Sequence, residues 1–236
     1  MRRKRVDRFL HEAVRKADIG EVYLGMEDEK RLLKSFYLLQ LRKPFFTKDE
    51  FAQQTDKDSS GIDDTLRQST ASGNLECKNG EEYSLLDRGR LKLRIVLAGG
   101  VYDILHLGHL AALAEAKTYG DVLVVVVATD VTVEMSKGRR PVFPEEDRRA
   151  LVEALRPVDA AIFGYEDVGM GFEQVIDDVK PNVIALGYDQ DSVARVATQL
   201  VERKKLDVDV VRLSKFDKEK YLSSSAIRQR FFREPN

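Results

Sequence analysis

Apolar positions change their spacing partway along the chain. In the first part they recur at helical intervals. Glu29 to Leu41 sets Leu32, Leu33, Phe36 and Leu39 with Gln40 near one face of an amphipathic helix. Thr47-Lys-Asp-Glu50 is a capping box that opens a second helix, and Ser60 to Ser72 suggests a third that ends near Gly73. Leu75 to Leu85 reads as strand, Asn79-Gly80 turn and strand, followed by a short turn or helix over Asp87 to Lys92. From about residue 94 short apolar runs alternate with helical ones. Strands are predicted over 94–99, 121–130, 160–164, 183–187 and 208–213. Helices are predicted over 110–119, from Pro144 to a stop before Pro157, and over 172–179, 192–204 and 223–232. The 121–130 run is apolar on both faces, as a central parallel strand requires. Strands alternating with helices give an α/β unit with a parallel sheet covered on both faces, whose ligands gather at the carboxyl ends of the strands.

The first part resembles a winged-helix domain: three helices, then a hairpin, with Tyr83-Ser-Leu-Leu-Asp-Arg-Gly-Arg90 similar to the stretch that follows the wing in many such domains. The expected division is a winged-helix-like α+β domain over 1–92 and an α/β domain over 93–236. Residues 1–92 hold 19 basic and 17 acidic side chains, and the expected third helix sets Asp63 and Asp64 beside Arg67. That is a poor footprint for phosphates, so protein contact or homodimer formation is favoured over DNA binding.

Composition narrows the remainder. A formal net charge of -1 on 236 residues gives no global field for nucleic acid. A single cysteine, Cys77, excludes an internal disulfide framework and suits a reducing cytoplasm. No apolar run approaches the length of a membrane span, and the basic Met1-Arg-Arg-Lys-Arg5 is followed by no apolar signal core. A cytoplasmic protein without membrane partners is the expectation.

Four motifs converge on phosphate chemistry. The first is Leu97-Ala-Gly-Gly-Val-Tyr-Asp-Ile-Leu-His-Leu-Gly-His109, a strand, a glycine turn and a helix starting near His109. Gly99 and Gly100, with the backbone of Val101 and Tyr102, let the chain approach a nucleotide closely. His106 and His109 stand at a helix N-terminus, where free N–H groups and the helix dipole attract phosphate. Gly108 clears a side chain from that end. The second motif is the loop Lys137-Gly-Arg-Arg140, with Arg148 and Arg149 on the next helix; a solvated basic loop is its plainer reading. The third is Leu186-Gly-Tyr-Asp-Gln190, where Gly187 can admit a base or ribose and Asp189 can accept from hydroxyl or amino groups. The fourth is Tyr221-Leu-Ser-Ser-Ser-Ala-Ile-Arg228, in which Leu222, Ser223, Ser224, Ser225 and Arg228 form a second helix-capping phosphate cradle.

Together these motifs resemble the cytidylyltransferase-like nucleotidyltransferase family. Its HxGH signature stands as His106-Leu-Gly-His109 and its closing serine motif as Leu222 to Arg228. The resemblance covers about residues 94–232 and implies a Rossmann-like doubly wound sheet. It also implies transfer of a nucleoside monophosphate from a nucleoside triphosphate to a phosphorylated small-molecule acceptor, with Mg²⁺ and release of pyrophosphate. Lys137 to Arg149, running on to Leu155-Arg-Pro-Val-Asp159, and Leu186-Gly-Tyr-Asp-Gln190 are similar to the archaeal FAD synthases, which join AMP from ATP to FMN. Glycerol-3-phosphate cytidylyltransferases, which use CTP, share the scaffold and the Arg156-x-Val-Asp159 element. A nucleotide-sensing DNA-binding regulator is the reading from another class.

The resemblance implies roles. His106 and His109 donate to the α- and β-phosphates. Lys137, with Arg148 or Arg156, holds acceptor or triphosphate, and Asp103 and Tyr188 lie among the candidate acceptor contacts. Ser223, Ser224 and Arg228 bind the β- and γ-phosphates, and Asp103 neighbours Mg²⁺. Many family members have Gly-Thr-Phe-Asp where this chain has Gly100-Val-Tyr-Asp103, so Val101 contributes backbone only.

Overall fold

The computed structural model describes residues 26–55, 57–166, 171–215 and 227. The chain divides into two compact units, with the boundary between Arg94 and Ile95.

The first unit runs α1 (Met26–Gln40), β1 (Phe46–Thr47), α2 (Lys48–Ala52), α3 (Ser59–Ala71), β2 (Leu75–Lys78), β3 (Glu82–Leu85) and α4 (Asp87–Arg90). The capping box forms as the sequence dictates: Thr47 Oγ1 accepts from the Glu50 N–H, and the Glu50 carboxylate accepts from the Thr47 N–H at 2.8 Å. Asn79 (φ 55°) and Gly80 (φ 77°) both take the left-handed conformation that a tight two-residue hairpin needs. The sheet order is β1-β3-β2, all antiparallel. The two-residue β1 is an addition to the expected three helices and hairpin; it is too short to leave an alternating pattern. Phe36 anchors this core, stacked on Phe46 at 5.5 Å and tilted against Phe51 at 5.0 Å. The acids of α3 are engaged locally, Asp63 with Lys48 and Asp64 with Arg67.

The second unit runs β4 (Ile95–Gly100), α5 (Leu107–Lys117), β5 (Val122–Val127), α6 (Asp130–Lys137), α7 (Glu145–Glu153), β6 (Ala160–Phe163), α8 (Gly171–Val179), β7 (Val183–Leu186), α9 (Asp191–Lys204) and β8 (Asp209–Arg212). Every strand pair is parallel, in the order β6-β5-β4-β7-β8. The chain therefore starts in the middle, builds outward through β5 and β6, crosses back, and builds outward again through β7 and β8. The strand order reverses between β4 and β7, and in such sheets a crevice opens there at the carboxyl ends. Val122 to Val125 and Val127 of β5 are buried completely, which is why that strand carries apolar side chains on both faces.

Two boundaries differ from the sequence reading. The helix expected to start near His109 starts at Leu107, because His106 is its N-cap: Nδ1 accepts the Gly108 N–H at 3.1 Å. The strand expected to reach Asp130 stops at Val127, and α6 follows. Thr129 caps it by accepting from Thr132 N–H, and Gly138 (φ 64°) ends it in the left-handed conformation. Lys137 therefore sits on the last turn of a helix, not in a loop. The β-branched run Val131-Thr-Val133 hides this helix from a propensity reading. Of the expected helix over 223–232 only Ile227 lies within the described residues, and it is helical. Among the described residues no helix is long and apolar enough to cross a membrane.

Candidate active site

The site begins with a strained turn. Beyond β4 the chain enters the left-handed region at Tyr102 (φ 54°), an uncommon conformation for a bulky residue. The turn sends the buried Tyr102 ring back over Gly100, where an added Cβ would lie 3.0 Å from ring carbons. Burial pushes the Tyr102 phenol up from its ordinary range. Its ring meets His109 edge-on at 5.3 Å, and His109 stacks on His106 with centroids 3.9 Å apart and 28° between planes. Gly108 is required by this stack, since its Cβ would meet His106 Cε1 at 2.9 Å.

Both imidazoles are held neutral. Burial lowers the pKa of His106. Burial, then His106, then Lys137 lower that of His109 to about 4. Because His106 Nδ1 accepts from Gly108, its proton belongs on Nε2, which is then a donor. His109 Nδ1 is buried and has no hydrogen-bond partner among the described residues. Buried polar atoms are normally satisfied, so such an orphan marks a place for a ligand or an ordered water.

Lys137 joins the histidines from the end of α6. Its pKa is lowered by burial and by Arg139 and Arg148, against the opposing pull of Asp103 and Asp189. The structure thus brings residues of the first three motifs within electrostatic range of one another. Asp189 and Tyr188 stand exposed on the turn after β7, and Lys215 lies over the Tyr188 ring at 5.7 Å.

Several expected ligand contacts are engaged elsewhere. Arg148 is fully buried, and its guanidinium donates to the Phe143 carbonyl (3.0 Å), the Val101 carbonyl (2.6 Å) and Asp130 Oδ1 (2.6 Å). It is the strut under the site, not a phosphate contact, and it engages the Val101 carbonyl. Asp103 is also buried. Its Oδ1 accepts from the Val142 and Phe143 N–H groups, and its Oδ2 lies 3.5 Å from Arg139 Nη1. That carboxylate pins the 139–143 loop and is not set out as a metal neighbour. Arg156 precedes β6, at the amino edge of a sheet whose site is at the carboxyl edge. Both polar backbone groups of Gly187 are engaged: its N–H donates to Gln190, and its carbonyl accepts from Arg212 and the Gln190 N–H. Leu222, Ser223, Ser224, Ser225 and Arg228 lie outside the described residues.

Two residues escape the sequence reading. Arg139 brings a buried Nη1, ion-paired to Asp103 at 3.5 Å but without a hydrogen bond among the described residues; within Lys137-Gly-Arg-Arg140 nothing singles it out. Gln190 spans from Gly187 to Gly99, and its place directly after Asp189 is its only signal. An open groove of about 560 Å³ along α9 is lined by Asp191, Ala194, Arg195, Thr198, Gln199 and Arg212.

Comparison with known proteins identifies the family. A family described as cytidylyltransferase-like matches residues 97–230. An FAD synthase of Aciduliprofundum boonei is 45% identical over 121 residues, covering 51% of this chain and 78% of that protein. An FAD synthase of Pyrococcus abyssi is 42% identical over 142 residues, covering 60% of this chain and 94% of that protein. A solved structure from Thermoplasma volcanium, described as a lipopolysaccharide core biosynthesis protein, is 43% identical, covers 53% of this chain and 99% of that one, and superposes with a TM-score of 0.49. The chain belongs to the cytidylyltransferase-like family of nucleotidyltransferases.

This geometry sets three outcomes. Arg148→Ala leaves Asp130 and two carbonyls without their cation and lowers stability by about 3–5 kcal/mol in urea unfolding. Arg156→Ala, at the opposite edge of the sheet from the site, changes turnover by no more than about twofold. In the free protein, NMR titration finds His109 neutral down to about pH 4. The unfolded chain takes up that proton nearer the ordinary 6.5, so it binds more protons across this window. Stability from this group is therefore present above that range and lost as pH falls toward 4.

Proposed function

We propose that the chain is an FAD synthase: it transfers AMP from ATP to FMN and releases pyrophosphate. The observation that carries this reading is the likeness to the Pyrococcus abyssi FAD synthase across 94% of that protein, together with the paired neutral imidazoles beside Lys137 at the sheet's carboxyl edge.

In this reaction an oxygen of the FMN phosphate attacks the α-phosphorus of ATP. A new phosphorus–oxygen bond forms, the bond from the α-phosphorus to the bridging oxygen breaks, and pyrophosphate leaves with the electron pair. The FMN phosphate is largely ionised near neutral pH, so no general base is needed. The protein's part is placement and charge stabilisation. His106 donates from Nε2 and His109 from its ring N–H to the α- and β-phosphate oxygens, where charge grows in the transition state. Neutral imidazoles suit this role, because they donate without forming fixed ion pairs that would hold the products. Lys137 and Arg139 supply the cations for the phosphates of acceptor and nucleotide. Asp189, exposed on the turn after β7, accepts from a hydroxyl or amino group of the nucleoside.

No group of three or more His, Cys, Asp or Glu side chains among the described residues can hold a metal ion, and Asp103 is already engaged. The described side chains therefore do not form a protein-held Mg²⁺ site. The local acid–base pairing on α3 gives DNA binding no support, and protein contact is the reading we keep for the first unit.

The test is direct. ATP with FMN yields FAD and an equal amount of pyrophosphate, while CTP with glycerol 3-phosphate yields none; pyrophosphate from the second pair alone contradicts the reading. His109→Ala lowers turnover about 100- to 1000-fold with the protein still folded by circular dichroism. Full turnover in that folded variant removes His109 from the mechanism.

A further inference from the structure

The parallel ladder between β4 and β7 is short. It registers Val96 with Val183, Leu97 with Ile184 and Ala98 with Ala185. Beyond that point the two strands keep company with other neighbours. β4 stays paired to β5 as far as Gly100 opposite Val127, and β7 stays paired to β8 as far as Leu186 opposite Arg212. In this register the next rung would run from the Gly187 N–H to the Gly99 carbonyl. That bond is replaced by a side chain. Gln190 Oε1 accepts the Gly187 N–H at 2.7 Å, and Gln190 Nε2 donates to the Gly99 carbonyl at 2.9 Å. One amide group is spliced into the broken rung and satisfies both of its backbone partners.

We propose that Gln190 is a positioning residue that wedges β4 and β7 apart and so sets the crevice that receives the nucleoside triphosphate. The carboxyl-end crevice at a strand-order reversal is where open α/β sheets take their ligands. Without the wedge, the Gly187 N–H and the Gly99 carbonyl are free to pair directly, closing the strands over that space. The same residue fixes the turn behind it: its own N–H donates to the Gly187 carbonyl at 3.1 Å, and Arg212 donates to that carbonyl at 3.0 Å. The turn carries Asp189, which is in electrostatic range of Lys137. Gln190 thus links the glycine end of β4 to the residues that face the phosphates. Among the described residues its side chain hydrogen-bonds to backbone only, so its effect falls on the shape of the nucleotide site and not on bond making.

This inference rests on the nucleotidyltransferase reading, and its test separates the two. A non-hydrolysable ATP analogue and FMN are each titrated by calorimetry into the full chain, wild type and variants. Gln190→Met keeps nearly the same volume and removes both hydrogen bonds. Gln190→Glu keeps the acceptor for the Gly187 N–H and sets a carboxylate oxygen against the Gly99 carbonyl. Both variants bind the ATP analogue about tenfold or more weakly, the scale of one or two lost neutral hydrogen bonds, while FMN affinity stays within about twofold of wild type. Hydrogen exchange on Gln190→Met finds the Gly187 amide protected by its direct bond to Gly99. Unchanged analogue affinity in either folded variant overturns the proposal. So does equal weakening of both ligands, which would make Gln190 a general brace, and so does failure of both variants to fold, which would assign it to the fold alone. A wild type that takes a CTP analogue instead of the ATP analogue overturns the FAD synthase reading only, and the Gln190 comparison is then made with that analogue.

Discussion

β4 has two neighbours that leave it at different heights. β5 follows it to Gly100, but β7 parts from it after Ala98. The site of the second unit hangs from that inequality. It opens the crevice at the carboxyl edge, leaves two glycine-flanked backbone groups for Gln190 to bridge, and delivers the chain into the strained turn at Tyr102. The sheet can tolerate the inequality because its lower rungs are secure. β4 and β5 are buried on both faces through Val96 to Ala98 and Val122 to Val125, so the apolar ladder holds the strands together beneath the point where they separate.

Above that ladder, charge is distributed by burial. Arg148 and Asp103 are carried inside and matched there. Arg148 braces the Val101 carbonyl, the Phe143 carbonyl and Asp130, and Asp103 gathers the N–H groups of Val142 and Phe143 with Arg139. These buried partners tie the β4 turn, the start of α6 and the 139–143 loop into one frame. On that frame stand two stacked neutral imidazoles, a buried His109 Nδ1 without a hydrogen-bond partner among the described residues, and Lys137 at the close of α6. In the function proposed above, a phosphate-bearing substrate supplies the partners these groups lack, which is how an electrostatic site is made ready before it is filled.

Much of this is legible in the chain, and the exceptions have physical causes. The alternation of apolar runs identifies the parallel sheet, the capping box at Thr47 and the Asn79-Gly80 turn form as their residues dictate, and the histidine motif falls at a helix start. The α6 helix is hidden because Val131, Thr132 and Val133 are poor helix formers; Thr129 and Gly138 cap it nonetheless. Arg148 looks like an exposed phosphate ligand because sequence shows a charge but not its depth. Arg156 looks equivalent to it, although its place just before β6 sets it at the other edge of the sheet. Asp103 can be read as a metal neighbour only while the 139–143 loop is unplaced. Gln190 carries no chemical signature of its own. Its meaning depends on a ladder register that joins residues far apart in the chain, Gly99 and Gly187.

Everything in the chemistry depends on the stacked imidazoles facing the phosphates of a nucleotide seated between β4 and β7. A crystal structure of the chain with a non-hydrolysable ATP analogue measures this most directly. Ring nitrogens of His106 and His109 are expected at about 3 Å from α- or β-phosphate oxygens, with the nucleoside beside Gly99 and Asp189. A triphosphate lying instead along Ala194, Arg195, Thr198 and Gln199, outside α9 and away from both histidines, would contradict it.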